Sequence, residues 1–68
     1  MAKFKNGEKV VAVKEIGGIW REHVPAGSVG IVTQSGWGQD LRVMFTVKGG
    51  IFSDDKKVEV KVESHEIQ

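Results

Sequence analysis

Lys57-Val58-Glu59-Val60-Lys61-Val62-Glu63 is the stretch of this sequence in which apolar and charged residues alternate most strictly. Successive side chains of a β-strand point to opposite faces of the sheet, so the alternation predicts a strand with one buried face and one solvated face. Valines on such a face are buried only when further strands and a core lie against them. The segment therefore predicts a β-sheet protein.

Three earlier segments also have strand character. Residues 10–13 form a short β-branched run, residues 29–33 follow the turn signal Pro25-Ala26-Gly27-Ser28, and residues 41–47 again alternate. No apolar pattern of period 3.6 continues for ten residues, so no helix longer than one turn is expected. These strands predict a core that includes Val10, Val32, Val43, Phe45, Val58 and Val60.

Length and composition limit the class of protein. A chain of 68 residues without cysteine, with nine glycines and a net charge of +1, predicts a single domain, residues 1–68, without disulfides or thiolate-bound zinc. No apolar run approaches the roughly 18 residues that span a membrane, and the N-terminal segment does not resemble a signal peptide. We therefore expect a cytoplasmic protein that does not bind a membrane.

Two glycine-containing motifs resemble the N-terminal sequence motifs of SH3-like barrels. They are Gly7-Glu8-Lys9-Val10 and, after a long loop, Pro25-x-Gly27-x-x-Gly30-x-Val32. Two families share these motifs: KOW-type domains of ribosomal and transcription-elongation proteins, and electron-transport accessory proteins. The second family includes the PsaE-type photosystem I subunit and the variable chain of ferredoxin-thioredoxin reductase. The tail, residues 62–68, is similar to the closing strand of that second family, which slightly favours it.

The resemblance implies an all-β fold, a small SH3-like barrel of about five short antiparallel strands with long loops. Its motifs consist of glycines and valines with backbone and core roles, so they are specific for fold and carry little information on function. Independently of the family, Gly27 and Gly30 are typical of sharp turns and of close approach between strands, where a side chain would clash.

No segment predicts catalytic or metal-binding chemistry. The sequence Ala26-Gly27-Ser28-Val29-Gly30 matches a relaxed nucleophile elbow, but a strand rather than a helix follows it, so an ordinary turn is favoured. His23 and His65 match no metal-ligand spacing and are expected to be surface residues. We expect no enzyme activity, no catalytic residues, no metal and no cofactor.

A nucleic-acid interface is the alternative function. Lys3 and Lys5 flank Phe4, and five further lysines occur at positions 9, 14, 48, 56 and 57, so a basic stripe with aromatic residues could form in three dimensions. We favour an ordinary solvated surface, because the net charge is close to zero and nucleic-acid-binding domains are usually clearly basic.

Trp20, Arg21 and Trp37 are the candidate partner-binding residues. Both tryptophans occur in glycine-containing loops, residues 15–24 and 35–40, and tryptophan and arginine are enriched in binding hot spots. In SH3-like barrels these two loops lie side by side, so the resemblance implies one shared groove. The alternative is that a tryptophan packs against the end of the barrel, which is favoured for Trp20 over Trp37.

These observations favour a non-enzymatic protein-binding or accessory module that docks on a larger protein or complex through its loops. A KOW-like nucleic-acid-binding domain is the alternative. The sequence leaves the identity of the protein partner and the oligomeric state open.

Overall fold

Four antiparallel strands and one turn of 3₁₀ helix form the described part of the chain, which in the computed structural model comprises residues 4–18, 22–36, 38–49 and 54–68. The strands are β1 (Lys9–Val11), β2 (Val29–Gln34), β3 (Arg42–Val47) and β4 (Lys56–Lys61), and the 3₁₀ turn is Ser64–Glu66. The all-β prediction is confirmed. No helix in these ranges is long and apolar enough to cross a membrane.

The strand bounds differ from the predicted ones by one or two residues at their ends. Strand β1 was expected to continue to Val13 but ends at Val11, and β4 ends at Lys61 rather than Glu63. Beyond Val11 the regular ladder ends, although the Ala12 amide still donates to the Ser28 carbonyl at 2.8 Å, and Ala12 also forms an antiparallel bridge with Ile67. The predicted turn after Pro25 is confirmed, since Gly27 has a φ of +87° and the Ser28 amide donates to the Pro25 carbonyl at 3.2 Å.

The sheet is an antiparallel meander in the order β1-β2-β3-β4. Val10 pairs with Gly30, Gly30 with Phe45, and Phe45 with Val58, so one row of residues crosses all four strands on the inner face. The β2–β3 register shifts between Val32 and Gln34, which is a bulge-type irregularity just before the next loop.

The inner face of the sheet carries the core. All six residues predicted to be buried are at most 8% exposed. They belong to one apolar cluster with residues from the loops and the chain ends, namely Phe4, Ala12, Ile16, Val24, Val62 and Ile67. The strands therefore supply only half of the core, and the segments between and beyond them supply the rest.

Gly30 is a position of very close approach between β2 and β3. A Cβ atom built on Gly30 would lie 2.5 Å from Val43 Cγ1, 2.9 Å from the Met44 carbonyl oxygen and 2.9 Å from Phe45 Cδ1. Real Cβ atoms do not approach other atoms this closely, and the carbonyl belongs to the paired strand. The absence of a side chain at residue 30 is thus what allows Phe45 to lie against the backbone of β2.

The C-terminal segment returns to the free edge of β1. The Val11 amide donates to the Gln68 carbonyl and the Gln68 amide donates to the Val11 carbonyl, each at 2.9 Å. A closing strand was expected over residues 62–68, but residues 64–66 form the 3₁₀ turn. Only Gln68 pairs with β1 itself, while Ile67 bridges to Ala12 and the Glu66 carbonyl accepts from the Val13 amide at 3.0 Å. The turn is held by Glu66, which is 4% exposed and whose Oε1 accepts from the Glu63 amide at 2.8 Å.

The Gly30 contact predicts a large stability loss on Gly30→Ala. Extra atoms in a well-packed site typically cost about 1–3 kcal/mol, and the upper end is expected here because a backbone carbonyl blocks relaxation. A domain of this size is stable by roughly 3–10 kcal/mol, so the variant should unfold at clearly lower urea concentration.

Gly17→Ala is the matched control for this experiment. The Cβ of this alanine would lie 3.6 Å from His23 Nδ1, which is an ordinary contact. The free energy of unfolding should therefore stay within about 0.5 kcal/mol of the parent value or rise slightly. Equal effects of the two substitutions would contradict the close approach at Gly30.

Candidate functional site

The three predicted partner-binding residues, Trp20, Arg21 and Trp37, lie outside the described residues. Their assignment to a partner-binding surface therefore stays a prediction. The described residues on either side of them define how each of the two loops begins and ends.

The two ends of the first loop, residues 15–24, are hydrogen-bonded to each other at the edge of the core. Ile16 and Val24 exchange two backbone hydrogen bonds of 2.8 and 2.7 Å, and both side chains are fully buried. Glu15 and His23 lie 3.6 Å apart just outside this pair, between Glu15 Oε1 and His23 Nδ1. The two ends of the predicted long loop are therefore paired with each other.

The second loop, residues 35–40, is also tied at its base. The Gln34 side-chain amide donates to the Asp40 carbonyl at 2.9 Å, and the Gln39 amide donates to the Gly36 carbonyl at 3.2 Å. The Ser35 hydroxyl donates to Asn6 Oδ1 at 2.9 Å, which connects the loop to the segment before β1. The ends of this glycine-rich loop are therefore held in place before any partner binds.

The described flanks of the two loops lie at opposite ends of β2. The first loop precedes Val29, and its Glu22 carboxylate lies 3.7 Å from Lys56 Nζ at the start of β4. The second loop follows Gln34, and its Asp40 carboxylate lies 3.6 Å from Lys61 Nζ at the end of β4. The two loops therefore begin and end at opposite ends of the sheet, because consecutive connections of an antiparallel meander alternate between its two ends. The predicted shared groove concerns Trp20, Arg21 and Trp37, which lie outside the described residues, and it stays a prediction.

A groove of about 430 Å³ runs beside the second loop. We call it the loop groove. It is lined by Phe4, Ser35, Gly36, Gln39, Asp40, Leu41, Lys61, Val62, Glu63 and Ser64. Among its apolar lining residues Phe4 and Val62 are buried and Leu41 is partly exposed, whereas Asp40, Lys61 and Glu63 supply charges of both signs. This combination suits a protein segment with apolar and polar groups better than a uniformly anionic ligand.

The residues considered for other chemistry have ordinary surroundings. Ser28 Oγ donates to the Pro25 carbonyl at 2.7 Å inside its turn, so the hydroxyl has a structural partner. His23 and His65 are both exposed, and among the described residues no group of three or more His, Cys, Asp or Glu side chains is arranged to hold a metal ion.

Phe4 does not belong to an exposed basic stripe. Its side chain is 7% exposed and is part of the core, so it does not offer a stacking face to a base. Lys3 lies outside the described residues. Lys56 is engaged with Glu22, which further reduces the positive surface that the alternative function would need.

The structure also reveals an exposed apolar surface that the sequence analysis does not predict. Val11, Val29 and Ile31 are 38–43% exposed, and Val13 is 47% exposed. The signal was present in the sequence. Val29 and Ile31 occupy one face of the strand and Val32 occupies the other, so both faces carry apolar residues whichever of them is inside.

Comparisons with protein-family models, with curated proteins and with solved structures find no match to this chain. The resemblance to SH3-like barrels therefore rests on the glycine and valine motifs quoted above.

The tied base of the second loop predicts that Gln34→Ala loosens the loop without unfolding the protein. The lost hydrogen bond is worth about 1 kcal/mol, which corresponds to an opening equilibrium about fivefold more favourable. Chymotrypsin should then cut after Trp37 about fivefold faster at a nearly unchanged thermal midpoint. Thr33→Ala, at the preceding exposed position of β2, is the control, and equal cleavage rates in the two variants would contradict the proposed tie.

Proposed function

We propose that this chain is a non-enzymatic protein-binding or accessory module that docks on a larger protein or complex through its loops. The observation that carries the proposal is the loop groove beside residues 35–40, which brings the partly exposed Leu41 together with charged side chains of both signs. Ligand sites commonly combine apolar surface with a few polar groups that set orientation. The tied loop base supports it further, because a preformed loop loses less entropy when a partner binds.

We further propose that the described sheet is the core of a five-stranded SH3-like barrel. The pairing of Ile67 and Gln68 with Ala12 and Val11 supports this, since it places the C-terminal segment next to β1, at the opposite edge of the sheet from β4. Such a return would make the C-terminal residues a short fifth strand and curve the sheet around its core.

Trp37 is the residue whose substitution tests the proposed docking. A tryptophan between two glycines contributes little to folding unless it packs on the domain or on a partner. In the docking case Trp37→Ala leaves the thermal midpoint nearly unchanged but removes capture of the native partner, measured by pull-down with the purified domain and mass spectrometry.

Val13→Ala is the control for Trp37→Ala, since Val13 is an exposed apolar residue that does not line the loop groove. It should retain capture of the same partner. If Trp37→Ala instead destabilises the domain by about 3 kcal/mol without a specific loss of capture, Trp37 packs on the barrel and the proposal fails.

The KOW-like alternative is tested by a direct titration with nucleic acid. With a net charge of +1, and with Lys56 and Lys61 close to carboxylates, few phosphates can be neutralised. Binding to single-stranded or duplex nucleic acid should be no tighter than about 10⁻⁵ M at physiological salt, measured by fluorescence anisotropy at two salt concentrations. Submicromolar affinity with a steep salt dependence would make the alternative the better function.

A further inference from the structure

The outer face of the sheet carries a continuous apolar stripe formed by Val11, Val29, Ile31 and Met44, which we call the outer stripe. The first three side chains are 38–43% exposed, and Met44 is partly exposed. Strand β2 therefore has apolar side chains on both faces, although only its inner face contacts the core. Contiguous apolar surface on a folded domain commonly marks an interaction site.

The strand register places these four residues next to one another. Val11 pairs with Val29, and Ile31 pairs with Met44, while Val29 and Ile31 are successive outward residues of β2. The stripe therefore crosses from β1 to β3 diagonally. With strands about 4.8 Å apart and about 6.7 Å between outward residues of one strand, its backbone footprint is roughly 10 by 7 Å.

Two lysines border the outer stripe on opposite sides. Lys9 pairs with Ile31 and so continues one row onto β1. The row that begins with Val11 and Val29 continues through Thr46 on β3, which pairs with both Val29 and Lys57, and it ends with Lys57 on β4. Among the described residues neither lysine has an ion-pair partner. Glu59, which pairs with Met44 at the β4 end of the stripe, lies 3.9 Å from Arg42.

We propose that the outer stripe is the docking surface for one amphipathic helix of another protein, with carboxylates on both sides of its apolar face. A helix is about 10 Å in diameter, and two turns of its apolar face extend about 11 Å, which matches the footprint of the stripe. Acidic residues on both sides of that face would meet Lys9 on one side and Lys57 on the other. The surface shares no residue with the loop groove, so this inference is independent of the proposed function.

The charges disfavour two other occupants. A second copy of this chain would bring its own Lys9 and Lys57 to a face that already carries two uncompensated cations, and like charges across an interface are repulsive. A lipid surface would satisfy the lysines, but four side chains provide a small apolar area for stable insertion.

The test is a titration of the ¹⁵N-labelled chain with a synthetic 14-residue amphipathic peptide that has leucines on one face and glutamates on both flanks. Amide signals of residues 9–11, 29–31 and 44–46 should shift saturably below about 1 mM peptide. A peptide with lysine in place of each glutamate should bind at least tenfold more weakly. Signals of residues 35–40 should not move.

Matched variants of the chain separate the apolar contact from the charge pairing in the proposed recognition. Ile31→Gln should weaken binding of the acidic peptide at least tenfold, while Val13→Gln, another exposed apolar position, should not. The double variant Lys9→Glu/Lys57→Glu should reverse the preference between the two peptides. Lys5→Glu/Lys14→Glu changes the net charge equally and should preserve the preference.

Several results would overturn the proposal. They are equal binding of the two peptides, shifts confined to the loop groove, or no shift up to about 1 mM peptide. Concentration-dependent dimerisation that Ile31→Gln abolishes would identify a second copy as the occupant instead. Binding to phosphatidylglycerol vesicles that is lost in the same variant would identify a membrane. Dispersed amide spectra of every variant show that the fold is intact.

Discussion

The contact between Gly30 and the Phe45 ring is the constraint on which the rest of this small fold depends. A phenylalanine is large relative to the core of a 68-residue chain, and it fits only because the residue paired with it on β2 has no side chain. The same contact brings β2 and β3 close together and lets Val43 pack beside the ring. Val10 of β1 and Val58 and Val60 of β4 belong to the same buried cluster as Phe45. Together these residues give a domain without disulfides a densely packed core.

The core is completed by segments that do not belong to the sheet ladder. Phe4 comes from the N-terminal segment, Ile16 and Val24 come from the base of the first loop, and Ile67 comes from the C-terminal return. Each of these residues ties a loop or a chain end to the sheet. The loops therefore start from fixed points, which is the property that a scaffold needs in order to present residues to a partner.

The domain has two distinct surfaces with different chemistry. The loop groove combines the partly exposed Leu41 with charges of both signs, whereas the outer stripe is apolar with a lysine on each side. They lie on different parts of the sheet, one at the end where β2 finishes and one across the outward face of β1 to β3. A small domain with two such surfaces can contact two partners, or two parts of one partner, at the same time.

The sequence by itself determined the strands, their inward residues and the turn at Gly27, because these depend on period-two alternation and on the local backbone freedom of glycine. It placed Phe45 and Val60 in the core for the same reason. Only the tertiary structure decided that Phe4 is buried, that the flanks of the two loops lie at opposite ends of β2, and that Val11 and Met44 join one exposed stripe. The stripe depends on which residue of one strand pairs with which residue of another. The burial of Phe4 and the positions of the loops depend on strand order and on packing between segments far apart in the chain.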